Sequence, residues 1–509
     1  MKILFIYPIW QKSFYENEIS NRWPPLGIAY ISSYLKKHNH SVKYLERRDL
    51  IGNRFALSDD VELNELTLKA INETKPDFVG ITATTPLITD AYQTARLIKK
   101  YNKDTPVIIG GCHPTAEPLR TLQECPEIDI VVIGEGEQTS LDIVSGKPLN
   151  QINGIAYREN GKIQTTTKRE FYQKLDDFQF PDRHMFNPEK YFIEDSYLIR
   201  GHRIKGTNFL AARGCPFRCN FCQSGQMASS GTGNYMRLHS PEYVIEQIQQ
   251  LISDFGINGL LFSEDLFSVK KDNVIKICEL MIKGHLNEKI KWAANLRVDA
   301  VDKEVLRTMK SAGCIQIVYG CESGSQRTLD RMKKKTTVEK NYNAIKVTKE
   351  AGLDLEVNIM TGIPNEKEEN IIETINFLKK SKPHRINRGK LYPLPGTPFY
   401  EELVNSGKID KSIKWEDLWD KYVLQDFTFA DIKPKRYLEL QAKMDREVTY
   451  PINYSYHIKN NYKKSPLVAM KYVLLLLATC FILSLPVNIQ RLFRKIAKVL
   501  KIQSRVVAS

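Results

Sequence analysis

Short apolar runs alternate with amphipathic stretches along most of this chain of 509 residues. In the first block, runs such as "KILFIYP" and "DFVGITATT" have the length and the branched side chains of buried strands. Stretches such as "TDAYQTARLIKKYN" repeat apolar residues every three or four positions, as helices do. This alternation predicts a doubly wound, flavodoxin-like α/β sheet of the Rossmann type over residues 1–146.

A second alternating block covers residues 198–398 and contains six strand-helix units, from "GTNFLAARGC" to "RINRGKLYPLPGTP". We predict a partial or full β/α barrel of the TIM type, whose chemistry would lie at the carboxyl ends of its strands. Residues 147–197 read as a linker, in which Asn160-Gly161 predicts the turn of a hairpin. Residues 399–462 have a helical pattern. A chain of 509 residues is too long for one hydrophobic core, so several domains are expected.

Small and hydroxyl-bearing residues follow the strands of the first block, in "TATT", "GGCHPT" and "GEGE". Ligands of doubly wound sheets bind beyond the carboxyl ends of the strands, and small residues let the backbone approach a bulky ligand. No G-x-G-x-x-G pattern follows the first strand. An ordinary dinucleotide is therefore not the expected ligand.

The last block, residues 463–509, differs from the rest of the chain in its charge. The net charge is +15, yet residues 448–509 hold ten Lys or Arg and no Asp or Glu. An uncharged, mostly apolar run covers residues 472–490, and "RLFRKIAKVLKI" then places apolar and basic residues on opposite helical faces. We predict a tail that associates with the inner face of the membrane; the alternative is a buried C-terminal helix with a solvated basic end. Because the basic excess belongs to this tail, no nucleic-acid partner is expected.

The nine cysteines are few and irregularly spaced, and no secretory signal pattern opens the sequence. These features predict a cytoplasmic protein with reduced thiols. Three of the cysteines, Cys215, Cys219 and Cys222, lie close together in "ARGCPFRCNFCQSGQ", after the first strand of the second block.

This C-x3-C-x2-C spacing provides one ligand too few for the usual metal sites. Structural zinc sites and ferredoxin clusters take four protein ligands. Three thiolates on a four-iron cluster would leave one iron open to a substrate or cofactor. The alternatives are three unrelated cysteines, or a zinc site that His239 or a distant residue closes.

The same stretch resembles the signature of the radical S-adenosylmethionine (SAM) superfamily, as do "FSEDLF", "WAANLRVD" and "LYPLPGTP" farther along the chain. The resemblance implies a 4Fe-4S cluster on the three cysteines, with SAM on the open iron. It also implies a 5′-deoxyadenosyl radical and an external one-electron donor such as flavodoxin or ferredoxin. Two departures are Cys321, where an aliphatic residue is usual, and "GIPNEK", where a Gly-Glu-Thr-like turn is usual.

The resemblance also implies contacts to SAM, although it names no catalytic residue. The backbone of Phe221 would meet the adenine, and the residues at later strand ends would face SAM or the substrate. These are Glu264, Arg297, Glu322 and Ser323. For the acidic residues, the alternative is a solvated loop carboxylate.

The first block resembles the cobalamin-binding domain that precedes the barrel in one large subgroup, which includes anaerobic cyclases and methyltransferases. The motif that supplies an axial histidine in other cobalamin proteins, D-x-H-x-x-G, does not occur. The implied cobalamin contacts are Thr82, Thr84, Gly110, Gly111, His113, Thr115, Gly134, Glu135 and Gly136. The alternative is a vestigial sheet that binds no cofactor.

We therefore expect a cobalamin-dependent radical SAM enzyme that methylates an unactivated carbon of a small-molecule or lipid-like substrate. One alternative is a radical oxidative cyclase or rearrangement enzyme without methyl transfer. A second, from another class of protein, is a non-catalytic cobalamin or iron-sulfur sensor.

Overall fold

A computed structural model describes residues 1–9, 23–52, 60–193, 199, 202, 204–419, 421–422, 427–462 and 466–485. The chain divides into two compact units, and each consists of segments that are distant in sequence. The first unit comprises Met1–Leu198, Ile204–Ile257 and Pro393–Trp419. The second unit comprises Ile199–Arg203, Asn258–Tyr392 and Asp420–Ser509.

The elements of the N-terminal part alternate as the sequence predicts. Its strands are β1 Lys2–Tyr7, β2 Ser41–Glu46, β3 Phe78–Thr82, β4 Val107–Gly110, β5 Ile130–Val132, β6 Ile155–Glu159, β7 Lys162–Thr165 and β8 Arg169–Glu170. Its helices are α1 Leu26–Lys37, α2 Arg47–Ile51, α3 Val61–Thr74, α4 Ile88–Tyr101, α5 Cys112–Ala116, α6 Pro118–Glu124, α7 Glu137–Val144 and α8 Pro188–Tyr191.

The remaining strands and helices follow in chain order. The strands are β9 Gly206–Phe209, β10 Ala212–Arg213, β11 Gly231–Thr232, β12 Arg237–Leu238, β13 Gly259–Phe262, β14 Lys291–Leu296, β15 Cys314–Glu322, β16 Asp354–Thr361 and β17 Arg385–Lys390. The helices are α9 Ser224–Ser229, α10 Pro241–Phe255, α11 Lys271–Lys283, α12 Leu286–Lys289, α13 Lys303–Ser311, α14 Gln326–Arg331, α15 Val338–Glu350, α16 Glu368–Ser381, α17 Pro398–Asn405, α18 Trp415–Trp419, α19 Pro434–Met444, α20 Tyr450–Tyr462 and α21 Pro466–Ser484.

The main sheet of the first unit has seven strands in the order β2-β1-β3-β4-β5-β6-β7. The first five are parallel, and β6 and β7 add to the β5 edge in antiparallel pairing. The hairpin that the sequence predicts, with Asn160 and Gly161 at positive φ in its turn, thus extends this sheet. The domain boundaries given above stay predictions.

The second unit is built on five parallel strands whose spatial order, β13-β14-β15-β16-β17, follows the sequence. Helices connect successive strands, which is the arrangement of a β/α barrel wall. Trp292 of β14 is fully buried, and the rings of Phe262 and Phe267 meet it edge-on with centroids 5.2 and 5.7 Å away. These aromatic side chains fill the core that the apolar strands predict.

Helix α10 begins and ends where its sequence predicts. Ser240 caps its first turn, because its Oγ accepts a hydrogen bond from the Tyr243 amide at 3.1 Å, and Pro241 occupies the first helical position. Gly256 ends the helix in the left-handed conformation, with its N–H bonded to the Ile252 carbonyl.

Helices α19, α20 and α21 form the C-terminal region, with a π-helical turn at Asp445–Thr449 between α19 and α20. One side of α21 packs on α20, and the two form an apolar cluster around Tyr450 and Tyr454. Within the part of the chain that the structure describes, no helix is long and apolar enough to cross a membrane. The amphipathic segment predicted after Pro486 lies outside the described residues.

Candidate active site

The cysteine motif lies on the loop between β10 and α9, and Gly214 determines how this loop begins. Its φ is +90°, and a Cβ at this position would collide with the carbonyl oxygen of Tyr235. Cys219 is buried, and Cys215 and Cys222 are half-buried. Hydrogen bonds hold the turn, because the Cys222 amide donates to the Cys219 carbonyl at 3.1 Å. The motif is therefore a compact loop.

The thiol groups of this loop suit an iron-sulfur cluster. The Ser224 amide donates to Cys222 Sγ at 3.4 Å, a contact that also stabilises thiolates bound to iron. Among the described residues, no three His, Cys, Asp or Glu side chains are close enough to hold a single metal ion. The thiolates of a four-iron cluster bind different irons, so their sulfurs are farther apart than the ligands of one ion.

His239, considered above as a fourth zinc ligand, has another role. Its ring stacks on Tyr243 at 4.1 Å, and its Nδ1 lies 2.8 Å from Asp176 Oδ1. The imidazole is buried in this stack. These contacts make His239 a packing residue of the first unit.

The chain returns to the cysteine loop after it has passed through residues 258–392 of the second unit. Gln223 Nε2 donates to the Pro395 carbonyl at 3.1 Å, and the Phe399 amide donates to the Asn220 carbonyl at 3.0 Å. A Cβ on Gly396 would meet Gln226 and Ala116. The segment 393–399 therefore packs on the cysteine loop and on helix α5, which follows β4.

The predicted cobalamin residues lie at the carboxyl ends of β3, β4 and β5 or directly after them, and these strands are neighbours in the sheet. Gly111 has φ +108°, and a Cβ there would lie 2.6 Å from the Ala83 carbonyl oxygen. The His113 amide donates to that same oxygen at 3.2 Å. The Gly134 amide donates to Thr115 Oγ1 at 3.1 Å, so the three loops form one connected surface. Thr84 is exposed on it, and Thr82, Gly110 and Gly136 are half-buried.

The side chain of His113 points into the protein. Its ring is fully buried, lies 3.2 Å from Thr85 Oγ1 through Nδ1, and meets Trp415 edge-on at 4.5 Å. Trp415 in turn packs under Arg120, whose guanidinium is 3.8 Å from the ring centroid, and donates to Glu124 Oε2 at 2.7 Å. Burial, and then the charge of Arg120, lower the pKa of His113 to about 3, so the imidazole is neutral at pH 7. His113 thus shapes the loop that follows β4.

Glu135 joins the β5 loop to the cysteine segment through two arginines. Arg237 binds it with both guanidinium nitrogens, at 2.9 and 2.6 Å. Arg213, two residues before Cys215, lies 3.5 Å from Glu135 and 2.7 Å from Glu137. These four side chains are largely buried, and Arg213 also lies over the Tyr30 ring at 4.6 Å.

The charges of this network stabilise one another. Burial by itself would raise the pKa of Glu135, but the Arg237 hydrogen bond and the charges of Arg213 and Arg237 hold that pKa below its ordinary value. Burial likewise works against the charge of Arg213, whereas Glu137 and Glu135 raise the pKa of Arg213. The result is a fixed, charged connection between the predicted cobalamin surface and the cysteine loop.

In the second unit, Arg297 and Glu322 are brought together by a residue that the sequence reasoning missed. Arg297 Nη2 donates to the Lys334 carbonyl at 2.7 Å, and Lys334 Nζ donates to Glu322 Oε1 at 3.0 Å. Arg297 also binds Asp299 with two nitrogens, at 2.9 and 2.8 Å. Glu322 has a left-handed φ of +62°, which is strained for a residue with a side chain. Strained backbone conformations of this kind cluster at active sites and ligand-binding sites.

Glu264 and Ser323 occupy different environments in this unit. Glu264 follows β13 and is buried, so it is not the solvated loop carboxylate that was the alternative. Ser323 is fully buried, and its Oγ lies 2.9 Å from Thr374 Oγ1 and accepts from the Ser325 amide at 3.1 Å. Its side chain therefore stabilises the turn after β15.

The "GIPNEK" turn contains a buried carboxyl group, Glu366. Its Oε2 accepts a hydrogen bond from the Gly362 amide at 2.6 Å. Burial raises the pKa of Glu366 to about 8, against the effect of the Gly362 and Ile363 amides. Cys321 is buried as well, and its burial raises the pKa of the thiol, which makes it unreactive at pH 7.

Several residues of these networks were not expected from the sequence, among them Arg213, Arg237, Lys334 and Trp415. Arg213 stands beside the cysteine motif and Lys334 in the run "KKK", which are the signals that could have indicated them. Arg237 and Trp415 stand in no motif, and only the fold brings them to Glu135 and His113.

Comparison with known proteins identifies both halves of this arrangement. Residues 210–378 match the radical SAM superfamily, and residues 14–144 match the B12 binding domain. The chain is 34% identical over 411 residues to "Uncharacterized methyltransferase PH0819" of Pyrococcus horikoshii, covering 79% of this chain and 83% of the relative. It is 31% identical over 414 residues to the anaerobic magnesium-protoporphyrin IX monomethyl ester cyclase of Rubrivivax gelatinosus, covering 79% and 70%.

Two solved structures share the fold. The radical SAM methyltransferase TsrM from Kitasatospora setae, with cobalamin and a [4Fe-4S] cluster bound, matches with a TM-score of 0.63 and 15% identity over 80% of this chain and 78% of its own. The cobalamin-dependent SAM radical enzyme OxsB matches with a TM-score of 0.63 and 18% identity over 99% of this chain and 75% of its own.

These matches confirm the predicted α/β fold class, the order of its domains and the prediction that the protein is an enzyme. A 4Fe-4S cluster, SAM and cobalamin are the cofactors of this domain combination. The chain belongs to the cobalamin-binding radical SAM enzymes.

Proposed function

We propose that this enzyme uses cobalamin to methylate an unactivated carbon of its substrate. The observation that carries the proposal is the buried network of Glu135, Glu137, Arg213 and Arg237, which fixes the predicted cobalamin surface to the cysteine loop. A methyltransferase needs its methyl carrier held rigidly near the site of radical formation. The methyltransferase named among the relatives supports the same activity.

Each group of residues has a distinct task in this proposal. Cys215, Cys219 and Cys222 hold the cluster, and the loops after β3, β4 and β5 hold cobalamin. When bound, these cofactors and SAM supply a carbon-centred radical and a methyl group. Phe221, Glu264 and the charged set of Arg297, Glu322 and Lys334 are the proposed contacts of SAM; Ser323 would contribute only through its backbone, because its hydroxyl is used inside the protein.

His113 contributes to cobalamin binding indirectly, because its buried ring fixes the segment that follows β4. Its ring is buried against Trp415 and Thr85, so the side chain orients Gly110, Gly111 and Thr115 instead of meeting the corrin. In agreement, the sequence has no motif for an axial histidine.

The oxidative cyclase is the second candidate. The specific observation in its favour is the 31% identity to a relative named as a cyclase. The products separate the two functions, because methyl transfer yields a methylated product and S-adenosylhomocysteine, whereas cyclisation yields neither.

The decisive experiment is anaerobic reconstitution with iron and sulfide, followed by cobalamin titration and turnover with SAM deuterated in its methyl group. Deuterium in the product supports the methyltransferase; turnover with no deuterium transfer contradicts it. Cys219→Ala should abolish cleavage of SAM to 5′-deoxyadenosine, and Cys278→Ala, which removes a buried thiol of α11, is the matched control and should retain it.

The enzyme also needs a reductant, a substrate and a cellular location. The reaction needs an external one-electron reductant, for which we propose flavodoxin or ferredoxin. We also propose a cytoplasmic enzyme that acts on a lipid-like substrate and associates with the inner face of the membrane through its C-terminal tail. The apolar surface of α21 and the ten cationic residues after Val448 support this location.

A further inference from the structure

Helix α21 exposes a continuous apolar stripe to solvent. Its members are large side chains at helical spacing that are between 58% and 84% exposed: Leu467, Met470, Leu474, Leu477 and Phe481. They recur every three or four residues, so they lie along one side of the helix for about 21 Å. The other large exposed apolar residues of the described chain are single positions elsewhere, so this stripe is a distinct surface.

The opposite side of α21 is already bound to protein. Tyr472, Leu475 and Leu476 pack against a cluster formed by Ala442, Tyr450 and Tyr454. Ala469 and Thr479 are buried, and the Tyr472 ring stacks on His457 at 5.0 Å. Because one side of α21 is covered by protein, only the exposed apolar side is available to bind a partner.

Charge indicates which partner fits this face. Residues 448–509 carry ten cationic side chains and no anionic one, and Lys471 is exposed beside the stripe. A second copy of the chain would bring two such tails together, and their like charges would repel. A membrane surface of anionic lipids attracts them instead, at about 1 kcal/mol per basic residue near the surface.

We propose that α21 lies flat on an anionic membrane surface, with the Leu467–Phe481 stripe in the acyl-chain boundary and its other face on α20. The helix is thus an interfacial anchor and does not span the bilayer. This inference rests on the membrane association proposed above, and it identifies the contact surface and the orientation of the helix.

Vesicle binding by the full-length chain tests the stripe. Leu474→Gln with Phe481→Gln removes apolar contact without changing charge, and it should weaken binding to phosphatidylglycerol-phosphatidylcholine vesicles by at least about tenfold. Ser455→Gln with Ile282→Gln changes two exposed positions of the same unit and is the matched control, which should bind as the wild type does. Equal binding of all three proteins would overturn the proposal.

Fluorescence quenching tests the orientation. Tryptophan is placed in separate variants at Leu467, Leu474 and Phe481, and its depth is read with lipids brominated at different positions along the acyl chain. A helix lying in the surface gives one shallow depth for all three reporters. A spanning helix places Leu474 much deeper than the other two, and that result would refute the interfacial arrangement.

Two further measurements separate this inference from its alternatives. Sedimentation without lipid should show a monomer; a dimer that Leu474→Gln with Phe481→Gln dissociates would assign the stripe to a second copy and overturn the proposal. Cleavage of SAM is measured on the same preparations. If the wild-type protein cleaves SAM but does not bind vesicles, the anchor alone is refuted; if it binds vesicles but does not cleave SAM, the proposed reaction alone is refuted.

Discussion

Among the predicted site residues, the structure separates those that are exposed on the predicted cofactor surface from those that are buried and bonded inside the protein. Thr84 is exposed beyond β3, whereas His113 and Ser323 are fully buried and bonded to neighbouring side chains. Glu366 is the clearest case of a buried acid, because its burial raises its pKa to about 8.

Glu366 should make the stability of the protein depend on pH. The folded chain binds a proton on Glu366 up to about pH 8, whereas the unfolded chain releases it near pH 4.5. The stabilisation is therefore complete below pH 4.5 and is lost as the pH rises toward 8. Glu366→Gln cannot ionise and keeps an oxygen for the Gly362 amide, so its Tm should exceed that of the wild type at pH 9 and fall less between pH 6 and 9.

Glu369→Gln is the control for this comparison, because Glu369 is exposed in the same segment. Its Tm should follow the pH dependence of the wild type. If Glu366→Gln shows the wild-type slope, Glu366 is ionised in the folded protein and the argument from burial is wrong.

The role of a site residue could be predicted from the sequence where the residue belongs to a local motif. The spacing of Cys215, Cys219 and Cys222 indicates three ligands of one loop, and the structure does place them on one loop. Lys334 was missed because it reaches Glu322 across a strand-end turn. Trp415 was missed because 302 residues separate it from His113. No local pattern encodes contacts of this length.

At the scale of elements, the loops after β3, β4 and β5 behave as one surface because hydrogen bonds and buried charges connect them. The strand-helix alternation predicted their common edge, since the ends of parallel strands meet there. It could not predict that Gly134 would bind Thr115, or that Glu135 would bind Arg237, because these pairs depend on the register of distant segments.

Breaking the Glu135–Arg237 pair should loosen this surface. Arg237→Met leaves a buried carboxylate without its bidentate partner, and a loss of this kind destabilises proteins by about 3 kcal/mol or more. We expect a lower Tm and weaker cobalamin binding, measured by thermal denaturation and by absorbance titration of the reconstituted protein.

The exposed pair of Arg436 and Glu368 provides the comparison for this variant. Arg436→Met should leave Tm and cobalamin binding nearly unchanged, because solvent screens surface ion pairs. Similar effects of the two substitutions would show that the Glu135 network has no special role.

At the scale of the whole molecule, the main feature is the concentration of basic residues in the C-terminal tail. Residues 448–509 hold ten of the cationic side chains and no acidic one, and the rest of the chain is nearly balanced by comparison. In the function proposed here, catalysis and membrane attachment therefore belong to different parts of the sequence, and both family matches lie outside the basic tail.

Removal of residues 487–509 should test this division. The deletion removes six cationic residues but keeps α21: Arg491, Arg494, Lys495, Lys498, Lys501 and Arg505. We expect unchanged SAM cleavage and much weaker binding to anionic vesicles at low salt, since each basic residue near the surface contributes about 1 kcal/mol. Undiminished vesicle binding would show that the apolar stripe alone suffices.

The segment 393–419 closes the first unit although the chain has by then passed through most of the second. During synthesis, the ribosome releases Arg120 and His113 nearly three hundred residues before Trp415, the side chain against which both pack. Until Trp415 has been synthesised, the surface of His113 and Arg120 that it covers remains exposed on the nascent N-terminal part. A fragment that ends before residue 393 lacks this segment, and we expect that surface to stay exposed in it.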